Sequence, residues 1–246
     1  MSHYLLPNWP APSRVKACTS LRFGGHSQGP YASFNMNNRG ADEAAAVSAN
    51  RQLLRQELGL KQEPAWLHQI HGTKVISADS VTTPPPEADG SYTSSPGVVC
   101  TVLTADCLPI LFCNQQGEQV AAIHAGWRGI QAGVIESCVS KLQGPASEWL
   151  AWIGPGISVK HFEVGDEVYE LFTHNDDQAK KAFHPHTAGK WLADLYLLAK
   201  QRLQACGIMR LYGGEYCSYS DAERFFSYRR DQGRTGHMAS LIWIDE

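Results

Sequence analysis

The chain has 246 residues, 43% of them hydrophobic, enough to bury a full core, and it reads as a single domain spanning residues 1–246. Lys and Arg number 21 against 24 Asp and Glu, with no run of five like charges, which argues against nucleic acid or anionic lipid and leaves small molecules as expected partners. No basic start followed by an apolar stretch opens the chain, and no segment approaches the ~18 apolar residues of a membrane span, so a cytoplasmic protein without a membrane partner is expected.

A turn-rich segment from Arg22 to Arg39 carries Gly24-Gly25 and Gly29-Pro30, and Ala44 to Leu58 then reads as a helix stopped near Gly59. Trp66 to Ile70 and Val75-Ile76 look like short strands around a His71-Gly72 turn, and Pro84-Pro85-Pro86 starts a loop. From Val98 the pattern changes to continuous apolar runs, VVCTVL, LPILFC and QVAAIHA, the form expected of strands buried on both faces. After a Gly-Trp-Arg-Gly turn, Ile130, Val134, Cys138 and Leu142 recur every four residues and mark one helix face. Trp149 to Ile153 reads as a strand, and Leu192, Leu195, Tyr196, Ala199 and Leu203 as a second amphipathic helix. Phe225 to Tyr228 and Ser240 to Ile244 read as closing strands. Strands and helices mixed without regular βαβ alternation predict an α+β, or layered α/β, domain.

Seven cysteines, an odd number with no C-x-x-C pair, suit a reducing compartment and support neither a disulfide framework nor a four-cysteine zinc knuckle. Cys107 follows Asp106 at a break between two apolar runs, and His124 ends a third. With His71 they offer one sulfur and two nitrogens to a zinc ion, leaving a fourth position open. The same residues also fit a Cys107 thiolate nucleophile with His124 or His71 as its base. Cys100, Cys113 and Cys138 read as small core hydrophobes. Neither an H-E-x-x-H motif nor the H-x-E and P-C-x-x-C signature of nucleobase deaminases is present.

The segments TSLRFGGHSQGPYASFN (Thr19 to Asn35), WLHQIHG (Trp66 to Gly72), TADCLPILFCN (Thr104 to Asn114), HAGWRG (His124 to Gly129), IGPGI, FEVGDEV and FFSYRRD together resemble the bacterial YfiH-type laccase-domain family. That resemblance, which covers nearly the whole chain, implies a mixed β-sandwich flanked by helices and one zinc held by His71, Cys107 and His124. It also implies phosphorolysis of adenosine, inosine, guanosine and methylthioadenosine, hydrolytic deamination of adenosine, and, in older descriptions of the family, copper-dependent phenol oxidation.

Phosphorolysis requires an anion site, for which Arg22 with Gly24-Gly25 ranks first and Arg229 second, followed by Arg128 and Arg230. Tyr228 or Phe226 would stack on the purine, and Asp106 is the nominee for acid/base work. A trinuclear copper centre needs many histidines in H-x-H pairs, and His184-Pro185-His186 alone among ten histidines has that spacing. A single copper in the zinc position stays chemically open, because copper outcompetes zinc at most nitrogen and sulfur sites. Two other classes stay open: a zinc or cysteine amide hydrolase acting on a cell-wall precursor, and a metal-stabilised binding module, for which His68 would be the fourth ligand. Assembly is not legible in the sequence.

Overall fold

A computed structural model of the chain describes residues 3–245. In chain order it runs β1 (Tyr4–Leu5), β2 (Val15–Ser20), α1 (Ala44–Glu57), β3 (Val75–Ser77), β4 (Gly90–Thr93), β5 (Val99–Thr104), β6 (Leu108–Asn114) and β7 (Val120–Ala125). Then follow α2 (Trp127–Ala132), α3 (Val134–Val139), β8 (Trp149–Ile153), β9 (Glu163–Gly165), α4 (Asp166–Thr173), β10 (Phe183–Pro185), β11 (Lys190–Ala193), α5 (Leu195–Ala205), β12 (Arg210–Gly213) and β13 (Met238–Ile244). No helix among the described residues is long and apolar enough to cross a membrane.

A six-stranded sheet, β12-β8-β6-β7-β4-β3, lies against a four-stranded sheet, β1-β2-β13-β5, and a small β10-β11-β9 sheet adds Val164, Phe183 and Ala193 to the core of the larger one. The continuous apolar runs are explained by this layering. Ile110 and Phe112 of β6 join Ile123 of β7 in a core shared with α2, α3 and α5, whereas Leu111, Cys113 and Ala122 face Cys100, Val102 and Ile242 of the smaller sheet. Successive side chains on a strand point to opposite faces, so a strand with core on both sides must be apolar at every position. Helix α1 covers the outer face of the smaller sheet through Leu54, beside Phe34, Met36 and Leu241. The architecture is therefore a mixed β-sandwich flanked by helices, as expected, with Cys100, Cys113 and Cys138 fully buried.

Some local expectations fail for identifiable reasons. The helix predicted from Ile130 is split at Gly133, whose φ of 99° lies in the left-handed region, and its first turn already includes Trp127. Ile130, Val134 and Cys138 nevertheless share the predicted buried face. Trp66 to Ile70 makes one isolated bridge, at His68, and is not a strand. Leu192 belongs to β11, because Asp194 caps α5 by accepting a hydrogen bond from the Leu197 amide. Phe225 to Tyr228 is a turn segment: Phe225 and Phe226 are buried apolar anchors and Tyr228 is exposed, so an apolar run here reports packing rather than a ladder.

Candidate metal centre and its cleft

The residues Ala105 to Cys107 carry the chain from β5 in one sheet to β6 in the other, with Asp106 at φ 90° making the turn. Cys107 therefore stands at the seam between the sheets. His124 comes from the adjoining strand β7 and is 3% exposed, and His71, at φ 59°, sits on the loop before β3. One ligand atom from each, one sulfur and two imidazole nitrogens, lies within 4.8 Å of the others. Among the described residues no further Cys, His, Asp or Glu joins this group. His68 instead lies 3.7 Å from Glu87.

Two residues that sequence reasoning did not single out build this geometry. Asp89 is fully buried, and its Oδ1 accepts a hydrogen bond from His124 Nδ1 at 2.8 Å. It also accepts from the backbone amides of Ile70, His71 and Gly72 at 3.2, 2.9 and 2.7 Å. One carboxylate thus orients one imidazole and holds the loop that carries the other. Burial raises its pKa, but these donors outweigh burial and hold it below the usual carboxylate range. The second is Gly126, where a Cβ would lie 2.9 Å from Cys107 Sγ and 3.2 Å from His71 Cδ2. Only a residue without a side chain lets the three donors close over it. Its signal was present in the sequence as the glycine of HAGWRG.

Burial raises the Cys107 thiol, yet the neighbouring His124 and His71 imidazoles reverse this and bring its pKa down to about 6. For His124, burial favours the neutral ring, but the Cys107 sulfur and Asp89 carboxylate raise its pKa above the ordinary imidazole value. The donor set fits a metal ion with bonds of about 2.0–2.3 Å after small side-chain adjustments.

The three donors open into a cleft of about 540 Å³ whose lining includes Trp127, Arg128, Phe162, Tyr228, Arg229 and His237. Arg128 stacks over Trp127 at 4.4 Å, and among the described residues no carboxylate pairs with it. Arg229 is anchored by a hydrogen bond from Nη1 to the Glu163 carbonyl at 3.0 Å and likewise has no carboxylate partner. Tyr228 is 58% exposed and lines the same space.

Other nominees are committed elsewhere. Arg22, ranked first for phosphate, lies outside the cleft lining: Nη1 donates to the Ala222 carbonyl at 2.9 Å, Nη2 donates to that of Ala32 at 3.2 Å, and the guanidinium covers Phe226. The Gly25 and His26 amides are spent on Ser33 Oγ and Asn50 Oδ1, so the Gly24-Gly25 turn is no phosphate cradle. Arg230 pairs with Asp231 and donates to the carbonyls of Ser218, Tyr219 and Phe225. Phe226 is fully buried and cannot stack on a ligand. Asp106 does line the cleft, but both carboxylate oxygens are occupied, Oδ1 by Ser218 Oγ at 2.6 Å and Oδ2 by the Arg229 amide at 2.7 Å. It therefore ties the Ser218 and Arg229 segments together at the cleft wall. His184 and His186 are exposed at β10 and do not join the three-donor cluster, so no multicopper ligand set is assembled among the described residues.

Residues 16–245 match the family described as Multi-copper polyphenol oxidoreductase laccase. The chain belongs to this laccase-like, YfiH-type family. It is 46% identical to purine nucleoside phosphorylase PA4543 of Pseudomonas aeruginosa, with 100% of each chain covered. It is 47% identical to purine nucleoside phosphorylase YfiH of Escherichia coli, over 99% of this chain and 100% of that protein. The Neisseria meningitidis protein NMB0706 superposes with a TM-score of 0.96 at 44% identity, each chain covered to 100%. YlmD from Geobacillus stearothermophilus gives 0.91 at 28% identity, covering 100% of this chain and 97% of its own.

Proposed function

We propose that this chain is a zinc-dependent purine nucleoside enzyme that cleaves adenosine, inosine, guanosine and methylthioadenosine with phosphate and also deaminates adenosine. The observation that carries the reading is the convergence of one sulfur and two nitrogens at a cleft that also presents two guanidinium groups unpaired with carboxylates. The relatives named purine nucleoside phosphorylase support it. Seven free cysteines accord with a cytoplasmic setting.

In this reading His71, Cys107 and His124 hold the ion, which when bound supplies Lewis-acid chemistry at its open position. Arg128 and Arg229 receive the phosphate, because planar guanidinium donors match its oxygens and neither must first leave a carboxylate. Stacking on Trp127 keeps Arg128 extended, and Asp106 fixes the Arg229 backbone. Tyr228 offers its ring to the purine. Asp89 keeps His124 Nδ1 engaged, so that Nε2 is the nitrogen left for the ion.

The test is product identification after incubation with inosine and adenosine, with and without phosphate, alongside metal analysis. Hypoxanthine and ribose phosphate from inosine only when phosphate is present, with one zinc per chain, is the expected result. Failure to turn over either nucleoside would overturn the reading and leave an amide substrate to be tested. Stoichiometric copper in place of zinc would reassign the cofactor, since the same donors accept either ion.

A further inference from the structure

His237 has no role in the reading above, yet it lines the cleft together with Asn37 and Tyr228, and the same three residues line an adjoining hollow of about 680 Å³. Its protonation pattern follows from its neighbours. The Arg39 backbone amide donates to Asn37 Oδ1 at 3.0 Å, which fixes the orientation of that amide because a backbone nitrogen can only donate. Asn37 Nδ2 is then the donor to His237 Nδ1, 3.3 Å away. A ring nitrogen that accepts carries no proton, so the proton of the neutral ring is on Nε2.

The surroundings hold this arrangement still. The His237 amide donates to Asn35 Oδ1 at 2.9 Å, and its carbonyl accepts from the Met36 amide at 3.1 Å. Burial pushes the imidazole pKa down and so favours the neutral ring. Among the described residues Nε2 has no hydrogen-bond partner, and it is not one of the buried polar atoms lacking one. Its N–H therefore reaches open space in the two hollows that His237 lines.

We propose that His237 Nε2–H donates a hydrogen bond to N7 of the purine, an inference that rests on the purine nucleoside reading. When a phosphate oxygen bonds to C1′, the C1′–N9 bond breaks and its electron pair enters the purine ring. A donor at N7 meets the charge where it develops, which is where a fixed dipole lowers a barrier. His237 keeps its proton throughout, and the departing purine takes one from water. Tyr228, sharing both lobes with His237, is placed to stack on the ring whose edge His237 reads.

The experiment compares wild type, His237→Ala and His237→Gln. The readouts are kcat/KM for phosphate-dependent inosine cleavage, and calorimetric affinity for inosine and for 7-deazainosine, which has carbon in place of N7. The expected result is a loss of about tenfold or more in inosine kcat/KM for His237→Ala. Its inosine affinity should fall toward that for 7-deazainosine, while 7-deazainosine affinity changes by less than about twofold, the scatter of independent sites. His237→Gln, whose amide can reach the place of Nε2, should recover most of the loss. Equal losses for both nucleosides, or no loss for either, would overturn the inference with the purine reading intact. Wild-type protein that neither binds nor cleaves inosine would overturn both.

Discussion

His124 Nδ1 lies 2.8 Å from Asp89 Oδ1, in a pair whose side chains are 4% and 0% exposed. Because the same carboxylate accepts the amides of Ile70, His71 and Gly72, it couples two proposed ligands that are far apart in sequence. Asp89→Asn preserves the shape but replaces one acceptor oxygen by a donor. Zinc affinity, measured by chelator competition, should fall by about 10- to 100-fold, the usual cost of losing an outer partner of a histidine ligand. An unchanged affinity would show that His124 is oriented by other contacts.

Gly126→Ala places a methyl group 2.9 Å from Cys107 Sγ. The backbone φ there is −73°, so alanine suffers no conformational penalty and the effect is confined to the donor cluster. Metal content should drop sharply while the circular dichroism spectrum stays that of wild type. Full zinc loading in this variant would argue that the ion sits elsewhere.

Cys107→Ala should remove both stoichiometric zinc and nucleoside turnover. Cys206→Ala, a change at the end of α5, should leave both intact. Purine activity that survives in the Cys107 variant would remove the metal from the proposed chemistry.

In metal-stripped protein, Cys107 should react with iodoacetamide as a thiolate, with a rate that rises with pH and a midpoint at about 6. The sign follows from the lowered pKa: the neutral thiol dominates below the midpoint and the nucleophilic anion above it. Cys18 and Cys100, pushed by burial to about 12, should stay unlabelled across the same range. Zinc should protect Cys107. Labelling that first appears near pH 9 would mean that the imidazoles do not act on this sulfur.

The arginines separate phosphate binding from stability. Arg128→Ala should raise the KM for phosphate by about tenfold or more, the cost of a charged hydrogen bond, with little change in melting temperature. Arg22→Ala strands the Ala32 and Ala222 carbonyls and uncovers Phe226. It should cost about 2 kcal/mol and lower the Tm by roughly 4–8 °C, without a selective effect on phosphate. The reverse pattern would restore Arg22 as the anion site.

The residue pattern was enough to identify the layers wherever a local property reported burial. The runs through β5, β6 and β7 are predominantly apolar because core lies on both faces, and the helix α1 shows its limits at Ala44 and Gly59. Phe225 and Phe226 misled because an apolar pair is equally at home in a buried turn. The proposed donors His71, Cys107 and His124 could be named from their motifs, as could the aromatic and arginine candidates. Their environments could not. Arg22 and Arg229 are alike as letters and both donate to backbone carbonyls, but only Arg229 does so at the wall of the cleft.

Composition, period and motif by themselves determined the kind of domain, the buried strands and a short roster of chemically capable side chains, because hydrophobicity and donor type are properties each residue carries with it. Tertiary structure decided which of those side chains are free to act. Asp89 holds Nδ1 of His124, Ser218 and the Arg229 amide donate to Asp106, and Asn37 donates to Nδ1 of His237. Each depends on partners brought together by folding from distant parts of the chain, and a hydrogen bond that consumes or directs a polar group cannot be read from the group alone.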